Sequence, residues 1–352
     1  MNAAVSLARP EIVTLKAYAH AAWLPSLTRL HANEAPWRPA GDTTAAGLNR
    51  YPQPQPRPLI EGLSRLYGVP TSNVLATRGA DEAIDVLSRI YLRAGSDAIL
   101  QCGPTFGMYQ VAARIQGADV IEIPLEREQG WALDPQRLLA AWQPNIKLVY
   151  LCSPNNPTAN LLDETVLEQI CAALEGKAIV VIDEAYIEWS RSKSLTRWLH
   201  RFSTLAILRT LSKAHALAGA RIGALLANPA LIELAKRVVP PYSLAQPAVE
   251  AALRALEPAE LAAAQSRLEG LLAERDYVGR GLASSPCVDR VWPSDANFLL
   301  IDCDADRFMS SAMAGGFIVR DLRANPSLPS SLRVSIGTRE QNAALLRCVG
   351  AT

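Results

Sequence analysis

The sequence predicts an α/β fold: a larger section on a mostly parallel seven-stranded sheet, then a smaller α+β section. Three observations predict it. Strand-length apolar runs, continuous rather than alternating, recur from about residue 74 to 227; such runs suit strands buried on both faces. Amphipathic stretches separate them, the pattern of parallel strands joined by helical crossovers. From residue 229 the rhythm changes to long helical stretches followed by short strand-like runs.

Taken in order, the strand candidates of the larger section are Val74–Thr77, Ala98–Cys102, Val120–Ile123, Leu148–Cys152, Ile179–Asp183, Leu205–Arg209 and Ile222–Ala227. Helix candidates between them are Asp81–Leu92, Phe106–Gln116, Pro135–Trp142 and Asp163–Leu174. Residues 229–281 read as helices interrupted near Pro240-Pro241 and Glu257-Pro258, and Ala259–Leu282 has strong helical composition. Strands are then expected at Cys287–Trp292, Phe298–Asp302, Gly316–Val319 and Arg333–Ile336, with a helix at Arg307–Ala314. The proline-rich stretch Arg38–Pro58 reads as an extended loop holding Tyr51. In sheets of this kind ligands bind beyond the carboxyl ends of the strands. Asn155-Asn156, Asp183 and Arg209–Lys213 all follow strand ends and are expected to gather on one edge.

Composition excludes several classes. The 352 residues are 49% hydrophobic and 20% charged, ample for a core, and the formal net charge of +1 offers no attraction to nucleic acid or a membrane surface. No apolar run approaches the roughly 20 residues of a membrane span. Met1–Pro10 has no signal-peptide core, so retention in the cytoplasm is expected. The six cysteines include no C-x-x-C pair and are expected to be reduced and mostly buried; the four histidines are scattered, and no metal site is expected. G-x-G-x-x-G, P-loop and G-x-S-x-G motifs are all missing.

The chemistry concentrates in Thr210-Leu-Ser-Lys-Ala-His-Ala-Leu-Ala-Gly-Ala-Arg-Ile-Gly223. Lys213 alone among the lysines follows a strand end in a setting of small residues. An amine becomes a nucleophile or base when desolvation or a nearby cation lowers its pKa, and Arg221 is a candidate cation. Upstream, Asp183 ends the apolar run of Val180-Val-Ile-Asp183-Glu-Ala-Tyr186. A buried aspartate needs a partner. A lysine able to form an imine and an aspartate able to hold a pyridinium proton are the two groups that pyridoxal 5′-phosphate requires.

Other segments fit that cofactor. Arg78-Gly-Ala-Asp-Glu82 lies between a strand and a helix, where backbone N–H groups can hold a phosphate; Asp81 also suits a helix cap. Ser212 and Arg221 would complete a phosphate cup. Asn156, in Ser153-Pro-Asn-Asn-Pro-Thr158, and Tyr186 could donate to a ring oxygen, and Phe106 could stack on a ring. As bare sequence these are also a turn and ordinary core aromatics. Arg333, inside the strand Leu332-Arg-Val-Ser-Ile-Gly-Thr338, calls for an anionic partner such as a substrate carboxylate or phosphate, unless it faces solvent at an edge; Arg320 is a second candidate.

These segments, with His31-Ala-Asn-Glu34, Asn49-Arg-Tyr-Pro-Gln-Pro-Gln55, Gly79-Ala-Asp-Glu82 and Pro104-Thr-Phe-Gly-Met-Tyr109, resemble the fold-type I pyridoxal-phosphate aminotransferases over nearly the whole chain. Asn-Arg-Tyr-Pro and Asp-Glu-Ala-Tyr resemble the histidinol-phosphate branch of that family. The resemblance implies a large domain at 31–245 and a small one made of 1–30 and 246–352. It implies that Lys213 is the Schiff-base lysine and Asp183 the partner of the pyridine nitrogen. Asn156 and Tyr186 would bind the ring oxygen, and Ala80, Asp81, Thr210, Ser212 and Arg221 the phosphate. Tyr51 would reach that phosphate from the second subunit of a homodimer. Arg333, Arg320 and Tyr18 would bind the substrate anion. The implied reaction is reversible amino transfer between L-histidinol phosphate and 2-oxoglutarate, giving imidazole acetol phosphate and L-glutamate. An aromatic or other amino-acid aminotransferase and a phosphothreonine decarboxylase on the same scaffold remain open. A cofactor-binding regulator is disfavoured, because no basic helix-turn-helix extension precedes residue 30. Two departures stand out. Ala159 replaces the glycine usual after Asn-Pro-Thr, from which an ordinary φ is expected there, and Phe106 stands where tyrosine is frequent.

Overall fold

Seven strands build the larger sheet of the computed structural model, which describes residues 2–24 and 26–351. They are β1 (Val74–Thr77), β2 (Ala98–Gly103), β3 (Asp119–Pro124), β4 (Ile146–Cys152), β5 (Ile179–Asp183), β6 (Leu205–Thr210) and β7 (Gly223–Ala227), in the order β1-β7-β6-β5-β4-β2-β3. The pairs β2–β3, β2–β4, β4–β5 and β5–β6 are parallel; β7 runs antiparallel to both β1 and β6. Every residue of β1, β2, β5, β6 and β7 is buried, the physical basis of their continuous apolar runs. The edge strand β3 instead exposes Asp119 and Glu122, and charge on an edge discourages pairing with other chains.

Period-two alternation splits each central strand between two cores. Val180 and Ile182 of β5 face a layer holding helices Arg57–Tyr67, Pro135–Ala141, Glu164–Leu174 and Gln246–Ala255. Ile179 and Val181 face helices Gly79–Tyr91, Met108–Ile115 and Pro229–Val238. Residues 3–14, grouped by the sequence with the smaller section, form two short helices that pack on this second layer: Ala4 and Ala8 join its core, and the Tyr91 hydroxyl donates to the Ala4 carbonyl at 3.1 Å.

A second, antiparallel sheet follows: β8 (Val288–Val291), β9 (Phe298–Cys303), β10 (Arg320–Asp321) and β11 (Ser331–Ser335), ordered β10-β11-β9-β8. Helices Pro258–Ser284, Ala305–Ala314 and Arg339–Cys348 pack against it through Val278, Leu282, Phe308 and Leu346. The last helix begins with a capping box between Thr338 and Gln341. One expected strand is displaced. Residues 316–319 are irregular, and pairing starts only at Arg320. Gly316, at φ +84°, turns the chain back, and the Phe317 N–H donates to the Ala312 carbonyl at 2.8 Å. The run thus begins by closing the preceding helix.

The sheets are joined at several points. Arg127, from the loop after β3, donates to Asp302 of β9 at 2.7 Å; the Trp292 indole and the Ser331 hydroxyl donate to the same carboxylate at 2.8 and 2.6 Å. Nearer the larger sheet's carboxyl edge, the Asp295 N–H donates to the Ala159 carbonyl at 2.7 Å.

Candidate active site

Parallel register aligns the carboxyl ends of β4, β5 and β6: Cys152 lies opposite Asp183, and Asp183 opposite Leu208. Because β7 is reversed, its first residue, Gly223, lies beside both Thr210 and Thr77. The strand ends and the loops that follow them at this edge line a cleft of about 530 Å³, partly open to solvent. Its walls hold Ala80, Asp81, Phe106, Asn156, Asp183, Tyr186, Thr210, Ser212, Lys213 and Arg221, together with Cys152 and Ala185. The cleft continues outward past Phe106, Asn156, Tyr186 and Lys213 to Arg333, Arg320, Leu322 and Leu328.

Asp183 forms the floor. It is 2% exposed; the Tyr109 hydroxyl donates to one carboxylate oxygen at 2.7 Å and the Ala185 N–H to the other at 3.0 Å. Burial pushes its carboxyl above the usual range, while these two bonds and the Lys213 charge oppose that push. Lys213 follows β6 and remains solvent-accessible as a residue. Its amine lies 5.3 Å from the centre of the Tyr186 ring. Its pKa is lowered, first by burial and next by the Arg333 charge, with Arg221 a smaller contributor and Asp81 and Asp183 opposing. The cation expected beside it was Arg221; tertiary packing puts Arg333 ahead.

A cup for an anion lies at one end. The helix Gly79–Tyr91 starts without a side-chain cap, so its first N–H groups are available to a ligand. The Arg221 guanidinium donates to the Ser212 hydroxyl at 3.2 Å and to Asp81 at 3.0 Å, and the Thr210 hydroxyl donates to Ser212 at 2.9 Å. Two glycines make this approach possible. A Cβ on Gly79 would come within 2.5 Å of the Arg221 guanidinium, and one on Gly223 within 2.6 Å of the Gly79 carbonyl carbon. Backbone donors, hydroxyls and a guanidinium around a space kept clear of side chains suit a phosphate ester. The buried Asp183 carboxylate and the Lys213 amine suit a pyridinium and an aldehyde. The residues present therefore fit pyridoxal phosphate.

Asn156 is buried after β4, and its amide oxygen accepts a hydrogen bond from the Arg333 guanidinium. Tyr186 is also buried, and burial raises its hydroxyl pKa. Arg333, half-buried in β11, sits 5.2 Å from the centre of the Phe298 ring. Asn156, Tyr186 and Arg320 surround it, and none is a carboxylate. Burial and the Arg320 charge both lower its pKa, the mark of a cation still short of a counter-ion. Arg320 is exposed and lies directly opposite Arg333 in register.

Two expected site residues lie elsewhere in their own chain. Tyr18 is 64% exposed, edge-on to His20 at 5.4 Å. Tyr51 is 50% exposed, stacked on Tyr242 at 4.7 Å, and lines a separate surface groove with Asn33, Glu34 and Gln246. Ala159 corrects an expectation: its φ is +65°, not ordinary. The left-handed conformation costs an alanine about 1–2 kcal/mol. It is enforced by the Ala159 N–H donating to Asn155 at 2.8 Å, by the Asp295 bond to its carbonyl, and by packing against Tyr186 and Phe298. Sequence reasoning missed Tyr109 as a site residue. Its signal was there: it stands three residues after Phe106, and the two rings meet edge to face at 5.6 Å.

Residues 31–349 match the family described as aminotransferase class I and II. The chain is 42% identical to histidinol-phosphate aminotransferase of Stenotrophomonas maltophilia, covering 99% of this chain and 96% of the relative. It is 41% identical to histidinol-phosphate aminotransferase of Escherichia coli, covering 92% and 90%. A crystal structure of histidinol-phosphate aminotransferase from Sinorhizobium meliloti, in complex with pyridoxal-5′-phosphate, superposes with a TM-score of 0.77 at 24% identity, covering 85% of this chain and 82% of that one; this likeness speaks to the fold. The chain belongs to the aminotransferase class I and II family and, within it, to the histidinol-phosphate aminotransferases.

Proposed function

We propose that the cleft binds pyridoxal 5′-phosphate and that the protein transfers an amino group reversibly between L-histidinol phosphate and 2-oxoglutarate, as a cytoplasmic homodimer in histidine biosynthesis. The observation that carries this reading is the span of one cleft: an anion cup, a buried carboxylate, an amine of lowered pKa and a guanidinium with no counter-ion among the described residues.

Bound pyridoxal phosphate would supply an aldehyde as the amino-group carrier and a protonated, electron-withdrawing ring. The N–H groups of Ala80 and Asp81, with Thr210, Ser212 and Arg221, hold its phosphate. Asp183 keeps a proton on the ring nitrogen. Asn156 and Tyr186 would donate to the ring oxygen, and Phe106 would pack on the ring. The Lys213 amine, kept basic enough to act yet unprotonated more readily than an ordinary lysine, takes the proton from the substrate Cα and returns it on the other side of the transfer. Arg333, with Arg320 as a further ligand, takes the substrate anion; Tyr18, outside the cleft of its own chain, could join them only from a second copy. A guanidinium binds carboxylate and phosphate alike by two parallel hydrogen bonds, so one position serves both substrates.

The homodimer reading rests on the segment before residue 52. Trp23, Leu24, Leu27, Leu30 and Trp37 are exposed there, Leu30 by 90% and Trp37 by 73%. A contiguous run of large apolar side chains on a surface marks an interface, and a second copy would bring Tyr51 toward the cup. Among the described residues no helix is long and apolar enough to cross a membrane.

The test is donor profiling of the cofactor-loaded enzyme with histidinol phosphate, phenylalanine and phosphothreonine, each against 2-oxoglutarate. Glutamate formation is expected to be fastest from histidinol phosphate. Faster turnover of phenylalanine would move the reading to an aromatic aminotransferase. Release of carbon dioxide from phosphothreonine ahead of glutamate formation would end the transaminase reading.

A further inference from the structure

A carboxylate sealed from water tends to neutralise itself by taking a proton. Asp183 is in that position, and a neutral Asp183 could not retain a proton on a neighbouring ring nitrogen. What stands against neutralisation is chiefly one side chain. Among the causes that keep Asp183 ionised, the bond from Tyr109 is the largest, ahead of the Ala185 N–H and the Lys213 charge; Asp81 pushes the other way.

Tyr109 is built to hold that bond. It is fully buried on the helix Met108–Ile115, far in sequence from β5. Its ring lies face to face with Tyr150, centroids 4.6 Å apart and planes 7° from parallel, and Phe106 packs against it edge-on. The hydroxyl therefore has little rotational freedom, and it meets the carboxylate at 2.7 Å. The choice of a phenol matters. A lysine or arginine at this point would cancel the charge of Asp183 and remove its demand for a cationic partner. A phenol stabilises the anion without neutralising it, and burial together with the Asp183 charge raises the Tyr109 pKa, which keeps it a neutral donor.

We propose that Tyr109 is a positioning residue whose hydroxyl holds Asp183 ionised and in a single orientation, and thereby keeps the proton on the ring nitrogen of the bound cofactor. This rests on the reading of the cleft as a pyridoxal-phosphate site.

The test uses cofactor labelled with ¹⁵N in the ring, bound to wild-type, Tyr109→Phe, Tyr150→Phe and Asp183→Asn proteins. Tyr109→Phe keeps the ring stack and removes only the donor. Its ring-nitrogen resonance is expected to move from the protonated toward the unprotonated position. The apoprotein should bind the cofactor roughly tenfold more weakly, as for a lost hydrogen bond to a charged group. The value of kcat should fall by roughly tenfold or more while KM for both substrates stays within about twofold. Tyr150→Phe removes a hydroxyl from the other face of the same stack and should leave the resonance in place. An unchanged resonance and cofactor affinity in Tyr109→Phe would overturn the proposal, as would an equal displacement in Tyr150→Phe, which would trace the effect to packing. If Asp183→Asn itself leaves the nitrogen protonated, the fault lies in the reading of Asp183, not in the link between Tyr109 and Asp183.

Discussion

Arg209, in β6, and Arg221, just before β7, stand on either side of the loop that carries Lys213, and their surroundings differ in every respect. The Arg209 side chain is 7% exposed, bonded to Glu188 at 2.6 Å and Glu184 at 3.3 Å, with the Tyr67 ring 4.5 Å away. Glu184 in turn accepts from the Ser194 hydroxyl and the Leu195 N–H. The Arg221 side chain is 46% exposed, and its partners are a hydroxyl, a carbonyl and the equally exposed Asp81. The charge of Arg209 is answered by two carboxylates of the protein, although its buried Nε has no partner among the described residues, so it acts as a strut between the ends of β5 and β6. The partners of Arg221 are weak enough to give way to a ligand. Adjacency to Lys213 does not decide an arginine's role; what already answers its charge does.

The largest expected effect tests the strut. Arg209→Met leaves the buried Glu184 and the partly buried Glu188 without their cation, and breaking a buried ion cluster in this way costs about 3–5 kcal/mol. Urea unfolding of the apoprotein would measure it. The pH dependence has a definite sign. Burial already raises the Glu184 pKa, and Arg209 opposes this, so its removal raises that pKa further. A carboxyl with a raised folded pKa favours the fold below its unfolded value near 4.5 and loses that advantage as pH rises through the folded value. The defect should therefore be smaller near pH 5 than near pH 8. A pH-independent defect would show that the carboxylates are not the source.

A smaller effect tests the cup. Arg221→Gln should leave the stability of the apoprotein nearly unchanged, because an exposed pair such as Arg221–Asp81 contributes little. Cofactor binding should weaken by about 1.5 kcal/mol, the low end for a charge-assisted hydrogen bond at so accessible a site, or roughly tenfold in Kd. Equilibrium titration followed by absorbance would measure it. If stability fell as much as in Arg209→Met, the contrast between the two arginines would collapse.

The smallest effect concerns Arg333. Its charge is the second cause lowering the Lys213 pKa, after burial. In Arg333→Gln that repulsion disappears and the ammonium form of Lys213 gains. The rate at which apoprotein loads cofactor should then rise with pH along a limb displaced to higher pH than in the wild type. A limb in the same place would assign the lowered pKa to burial alone.

The central parallel strands were legible from their apolar runs, because burial on both faces leaves no polar position to interrupt them. Asp183 and Lys213 were legible for a related reason: each breaks an apolar or small-residue context at a strand end, where this sheet type gathers its functional groups. The strand expected at residues 316–319 was misplaced because Gly316 spends the start of the run on closing a helix. Ala159 was misread because a left-handed alanine is held by bonds to Asn155 and Asp295, the latter far along the chain. The linkage of Asn156 to Arg333, and of Tyr109 to Asp183, joins segments distant in sequence.

Local chemistry and periodicity thus determined the fold class, the candidate cofactor groups and the family resemblance, because residue type and short spacing depend only on neighbours along the chain. Tertiary structure decided which arginine acts on Lys213, which hydroxyl steadies Asp183, and which arginine is buried as a strut. Those outcomes depend on desolvation and on distances between elements, and neither exists until the sheets have packed.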